Sequence, residues 1–120
     1  MTSVDYFEAW GRESVERIFR RYDGGLIHIH GNGRHLLKAV ASIRGLKGIY
    51  LGDDRGFPPA FEVLPGIRSE VGDMPLMLGV PYAVFQRALA EKKVPGGALY
   101  YVKDVPDVAA ANRLMEQGWR

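Results

Sequence analysis

The chain has 120 residues, of which 47% are hydrophobic and 25% charged, and its formal net charge at pH 7 is +2. This size allows one domain with a buried core, and the near balance of interleaved basic and acidic residues gives no electrostatic case for nucleic acid. The absence of cysteine excludes disulfides and thiolate chemistry, and the lack of a long apolar run or signal-peptide pattern leads us to expect a soluble, cytoplasmic protein without a membrane partner.

The first predicted element is an amphipathic helix over residues 4–22. Apolar residues recur at helical spacing on one side, and arginines and glutamates occupy most of the other side, as is typical of a helix packed on a core. Asp23-Gly24-Gly25 ends this helix, because glycine adopts the left-handed conformation of a helix terminus at little cost. The apolar residues 26–30 then predict a short buried strand.

The same succession of helix and strand recurs along the rest of the chain. Proline and glycine mark the boundaries, because proline suits the first turn of a helix and glycine its end. Pro58 and Pro59 are predicted to begin a helix that Pro65-Gly66 interrupts before Val71. The remaining pattern predicts helices over about 34–43, 81–92 and 106–117, and strands over 46–51, 74–80 and 98–102.

Regular alternation of strands and helices predicts right-handed crossovers, which make the strands parallel. We therefore predict a single α/β domain over residues 1–120, with a doubly wound sheet and part of a barrel as the two candidate architectures. The loop after the first strand contains Gly31 and Gly33 but lacks the third glycine of the dinucleotide-binding fingerprint. This loop therefore gives only weak support to the doubly wound architecture.

A family resemblance favours the barrel. The run His28-Ile29-His30-Gly31-Asn32, the following Leu36-Leu37 and Asp53 after the second strand resemble the C-terminal half of the uroporphyrinogen decarboxylase superfamily, which includes cobalamin-dependent methyltransferases. The resemblance spans about residues 6–117 and implies a stand-alone (βα)4 half of a TIM-type (βα)8 barrel with an extra N-terminal helix. The zinc-dependent branch has cysteines at the position of His30 and at a later strand end, and this chain has neither, so we expect no metal and no cofactor.

His28, His30 and Asp53 are the candidate catalytic residues. The two histidines are two positions apart on a strand, so their side chains share one face, which in a barrel is the interior. Imidazoles at the carboxyl end of a barrel strand could relay protons, and a neighbouring carboxylate could orient one of them or accept a proton. The structural alternatives are a hydrogen-bonded histidine pair that fills the barrel and an aspartate that caps a loop or helix.

Four further residues are candidate ligand-binding groups for a small anion. Backbone N–H groups converge at the start of the helix after the first strand, where an arginine adds positive charge. Polar residues also end the second and fourth strands, at the edge where barrel active sites form. These candidates are Asn32, Arg34, Asp54 and Lys103.

Four parallel strands cannot close a barrel, so both sheet edges and the inner face need a cover. We expect this face to carry Leu26, Tyr50, Met77 and Tyr100. The leading hypothesis is a protein that self-assembles as a homodimer or higher homo-oligomer, in which two copies complete an eight-stranded barrel. Two alternatives are open: a decarboxylase- or methyltransferase-like enzyme acting at the barrel mouth on a tetrapyrrole-like or small anionic ligand, and a half that pairs with a separate N-terminal half-barrel protein.

Overall fold

A four-stranded parallel sheet forms the centre of the fold, as described by a computed structural model for residues 2–119. The strands lie side by side in chain order, and each pairs in parallel with the next. This arrangement confirms the α/β prediction with parallel strands and is consistent with half of a barrel. The strands are β1 (Gly25–Ile29), β2 (Leu46–Leu51), β3 (Leu76–Pro81) and β4 (Ala98–Lys103).

Helices precede and follow the strands. The N-terminal helix is continuous but contains one π-helical turn, Phe7–Gly11, between α1 (Val4–Tyr6) and α2 (Arg12–Arg21). A 3₁₀ helix, Gly31–Leu36, leads directly into the next α-helix. No helix within residues 2–119 is long and apolar enough to cross a membrane. The other helices are α3 (Leu37–Ala41), α4 (Leu64–Val71), α5 (Tyr82–Ala90) and α6 (Val108–Gly118).

The helix predicted from Pro58 is different in the structure. Turns occupy most of the segment before α4, and Pro65 lies in the first turn of that helix instead of interrupting it. The reason is that proline has no N–H to donate, which matters little in a first turn where the N–H groups have no helical partner. Pro65 therefore lies at the start of a helix, although it was predicted to interrupt one.

One face of the sheet is covered by helices and forms the core. Alternate residues of β2 and β3, such as Ile49 and Leu78, are fully buried there and belong to one cluster with helix residues such as Leu37 and Leu64. Burial of each such side chain contributes about 1.5–3 kcal/mol to the free energy of unfolding. The core therefore lies between the sheet and a single layer of helices, as in one half of a (βα)8 barrel.

The opposite face has no helix layer within the described residues. Leu26 on β1 and Leu99 and Tyr101 on β4 are 58%, 64% and 66% exposed there. Tyr50 and Met77 on the central strands face the same way and are half-buried. We call this surface the open face, defined by these five residues together with His28.

Tyr100 does not lie on the open face, so that part of the sequence prediction is wrong. Its ring packs against Phe61 and Phe85, and its hydroxyl donates a hydrogen bond to the carbonyl of Pro95. Burial raises the pKa of this phenol. Because side chains alternate along a strand, Leu99 and Tyr101 take the exposed positions on either side of it.

The N-terminal helix is attached near the amino end of β1. The ring of Phe19 lies against Gly25, where an added Cβ would be only 2.3 Å from a ring carbon. The buried Glu16 accepts a hydrogen bond from the backbone N–H of Arg44 at 3.1 Å, and Arg12 donates to the carbonyl of Ala39 at 3.0 Å. These contacts hold α2 against the end of α3 and the start of β2.

Candidate functional site

The two predicted histidines lie on the open face towards the carboxyl end of β1. Their ring centroids are 4.4 Å apart, and the ring of Tyr50 on β2 is also 4.4 Å from that of His28. Alternation along β1 places both imidazoles on this face, as predicted. A shallow cavity lined by His28, His30, Asn32 and Asp54 opens beside them.

Gly52, which follows β2, forms the floor beneath both imidazoles. A Cβ at this position would lie 2.7 Å from Nε2 of His28 and 2.9 Å from Nε2 of His30. The Nε2 atoms of the two rings therefore converge above one backbone position. Only glycine leaves this space free, so the site depends on a residue without a side chain.

Asp54 orients His30. Its Oδ1 lies 2.8 Å from Nδ1 of His30, and its Oδ2 accepts the backbone N–H of Asn32 at 3.1 Å. The Asn32 N–H is the main cause that lowers the pKa of this carboxyl, and the His30 hydrogen bond lowers it further. Because an ionised carboxylate only accepts hydrogen bonds, Nδ1 of His30 is the donor in this contact, and in the neutral tautomer Nε2 is left as an acceptor.

Asp53 and Arg34 do not contact the histidines. Oδ1 of Asp53 accepts the backbone N–H of Ala60 at 2.7 Å and lies 3.4 Å from Nη2 of Arg34. Arg34 also donates to the carbonyl of Pro58. The two side chains thus hold the loop after β2, and Asp54 has the orienting position for which Asp53 was the sequence candidate.

Lys103 lies at the carboxyl end of β4, at the other edge of the sheet. Its aliphatic chain covers Gly79, where an added Cβ would be 3.2 Å from Cε of the lysine. Among the described residues, no acidic side chain lies within ion-pairing distance of its amino group. Three strand spacings, about 14 Å, separate β4 from β1, so one chain does not bring Lys103 to the histidines.

No protein-family model, curated protein or solved structure matches the chain. The resemblance to the uroporphyrinogen decarboxylase superfamily therefore stays an expectation drawn from its motif residues. What the geometry supplies is an imidazole held by a carboxylate, which is an arrangement suited to proton transfer.

A metal site is not evident in the part of the chain that the structure describes. No group of three or more His, Cys, Asp or Glu side chains is close enough there to hold an ion. Zinc sites normally use at least three protein ligands. The absence of a bound metal stays a prediction, which elemental analysis of the purified protein checks.

Sequence reasoning did not identify Gly52 or Tyr50 as parts of the site. The available signal was their position: Tyr50 pairs with His28 in the sheet, and the N–H of Gly52 bonds to the carbonyl of Ile29. A strand-by-strand alignment of the two predicted strands would therefore have placed both residues beside the histidines. The residues alone do not set the register of the two strands, because both strands are short and have apolar residues on each face.

We expect His30→Gln to leave the pKa of Asp54 below its ordinary value, since the Asn32 N–H, the larger cause, remains. Loss of the His30 contact should raise that pKa only in part. A carboxyl group whose pKa is lowered by folding stabilises the folded protein at pH values above its ordinary pKa. This stabilisation is lost as the pH falls through the pKa of the folded state. Carboxyl carbon NMR titration measures the shift. His28→Gln is the control and should leave Asp54 unchanged, whereas full return to the ordinary pKa in His30→Gln would contradict the assignment.

Proposed function

We propose that the chain is a self-assembling half barrel, closed by a second copy of itself into an eight-stranded barrel. One observation carries the proposal: among the residues that the structure describes, all of the large, exposed hydrophobic side chains except Phe57 and Val84 lie within residues 4–26 or 99–119. These two segments include the start of β1, most of β4 and the helices next to these edge strands. Apolar surface is thus concentrated where two copies would meet.

The strand arrangement supports the same assembly. Within residues 2–119, β1 and β4 each pair on one side only, and all strands run in one direction. A two-fold axis along the barrel would place β4 of each copy beside β1 of the other, again in parallel. Both free edges would then be paired and the open face enclosed, with the same contacts made twice.

The chemistry of the open face fits a permanent interface. Its five apolar or aromatic residues would form the interior of the barrel, which in such folds is a packed core. An obligate interface of this kind buries more than about 2,000 Å² in total and is mostly apolar. Folding and association would be coupled, so apparent stability should rise with protein concentration.

A second candidate function is acid–base catalysis at the mouth of the closed barrel. The bond of 2.8 Å between His30 and Asp54 favours it, because it fixes one imidazole with Nε2 free towards the open face. The family resemblance would make the reaction decarboxylase- or methyltransferase-like, on a tetrapyrrole-like or small anionic ligand. Barrel enzymes have their active sites at this carboxyl-terminal edge.

Sedimentation equilibrium of the wild-type chain tests the first proposal. We expect the mass of two chains at micromolar concentration and a melting temperature that rises with concentration. A well-folded monomer across this range would contradict the proposal. It would also mean that the open face tolerates water, or that a different half-barrel protein is its partner.

A further inference from the structure

We infer that closure of the barrel creates a composite binding site for a small anion that carries an O–H group, built from Lys103 of one copy and the histidines of the other. This inference rests on the proposed homodimer and names the ligand class of its mouth. Each chain alone has only half of the site, because about 14 Å of sheet separates β4 from β1.

Register comes from the stagger that a (βα)8 barrel requires. Its shear is about eight residues, so each half contributes about four. Within one copy, successive strand pairings join His28 to Tyr50, Tyr50 to Met77 and Met77 to Leu99, so His28 and Leu99 are level across the sheet. The strands of closed barrels tilt to the right. At the junction between the copies, a residue of β1 therefore pairs with a β4 residue about four positions further along than it would without stagger. His28 of the second copy then lies beside Lys103, and Leu26 of the second copy beside Tyr101.

Alternation makes these neighbours share one face. Leu26 and His28 point to the open face from β1, as do Leu99 and Tyr101 from β4. Lys103, two positions after Tyr101, crosses Gly79 on the same face. The ammonium group and the imidazoles would therefore point into one interior, at neighbouring strands of the new junction.

Two glycines form the floor of this interior. Gly52 lies under the imidazoles and Gly79 under the lysine chain, and they follow the paired residues Leu51 and Leu78 on adjacent strands. Neither has a side chain that would fill the space above it. The mouth of the barrel would thus have room for a small ligand at the level of the charged groups, while Tyr50, Met77 and Leu99 fill the level below.

Hydrogen bonding selects the ligand class. Lys103, which has no acidic partner among residues 2–119, supplies a positive charge and only donors. In the neutral tautomer of His30, Nε2 is an acceptor, since the hydrogen bond to Asp54 keeps the proton on Nδ1. A ligand that satisfies both must combine a negative oxygen with an O–H donor, as hydrogen phosphate and hydroxy acids do. Sulfate has the charge but no O–H at neutral pH.

Calorimetric titration with inorganic phosphate and with sulfate tests this chemistry on the wild-type protein. We expect phosphate to bind about tenfold more tightly than sulfate, which corresponds to one hydrogen bond. Lys103→Gln should abolish phosphate binding while the dimer persists, and Arg87→Gln, which removes an exposed cation of α5, should leave binding unchanged. Equal binding of the two anions would overturn the assigned O–H donor.

Mixing two inactive variants tests whether the site is shared between copies. Lys103→Gln chains and chains with His28→Gln and His30→Gln should each fail to bind phosphate as homodimers. Refolded together, they form mixed dimers with one intact site, so binding should return in part. If mixing restores nothing, or if the wild-type dimer binds no phosphate, the composite site is wrong although the dimer stands. If sedimentation finds only monomer, both inferences fail together.

Because the chain contains no cysteine, the register has its own test. A chain with Leu26→Cys and Tyr101→Cys should form disulfide-linked dimers on mild oxidation, because the stagger places these positions side by side at the junction. A chain with His28→Cys and Leu99→Cys is the matched control, because a junction without stagger would place these two positions side by side. Preferential cross-linking of the control pair would overturn the placement of Lys103 beside His28.

Discussion

Leu99→Asp is expected to abolish the dimer. Leu99 is 64% exposed in the single chain, so a carboxylate there costs the fold of that chain little. In the closed barrel the same side chain would lie in an apolar interior, where an unpaired charge is disfavoured by several kcal/mol. Sedimentation should show no species with the mass of two chains. Because folding and association are coupled in the proposal, the variant should melt at a lower temperature than the wild type, and its melting temperature should no longer rise with protein concentration.

Val84→Asp is the matched control for this experiment. Val84 is also an exposed aliphatic residue, at 42%, but it lies on α5, away from both sheet edges. Its charge should leave the dimer intact. If Leu99→Asp remains dimeric, the two copies do not meet through the open face, and the barrel proposal is wrong even when the wild-type protein is a dimer.

Gly52→Ala should disrupt the histidine site with a smaller effect on the fold. The added methyl group would lie within 3 Å of both imidazoles, which must swing away because the hydrogen bond from the N–H of Gly52 to the carbonyl of Ile29 holds the backbone beneath them. The His30–Asp54 contact should then be lost. We expect the ring resonances of both histidines to shift and the protein to lose about 1 kcal/mol of stability.

Gly66→Ala provides the comparison. Gly66 is in α4, and nothing lies within 4 Å of the position of an added Cβ. Alanine there should stabilise the protein by about 0.5–1 kcal/mol, because it restricts the unfolded chain and favours the helix. Thermal melts of the two variants should therefore move in opposite directions. Unchanged histidine resonances in Gly52→Ala would show that the imidazoles do not rest on this glycine.

The sequence predicted the elements of the fold better than the directions of side chains. Apolar runs bounded by glycine and proline located all four strands, because those residues fix where regular structure stops. In β4, however, apolar side chains occupy positions of both parities, so hydrophobicity did not tell Tyr100 from Tyr101. Packing against Phe61 and Phe85 places Tyr100 on the helix-covered face, and these two residues are distant from it in sequence.

For a similar reason, the sequence predicted only part of the candidate site. Alternation along β1 correctly paired His28 with His30, because a strand has a fixed period. Asp53 and Asp54 lie beyond the end of β2, where no period applies, and local hydrogen bonds set their directions. The N–H of Ala60 holds Asp53 in its loop, and the N–H of Asn32 draws Asp54 towards His30. Such contacts depend on loop conformation, which single residues do not reveal.

Sequential strand order also bears on how the molecule reaches its final state. Each strand pairs with the one just before it in the chain, so the contacts of the sheet close short loops. Folding is therefore able to proceed one βα unit at a time, with little entropy lost at each addition. The central units gain neighbours on both sides, whereas in the proposed dimer the outer units would wait for a partner from another molecule. Assembly would then be the final step of folding, and a nascent chain would be most prone to mispair during that wait.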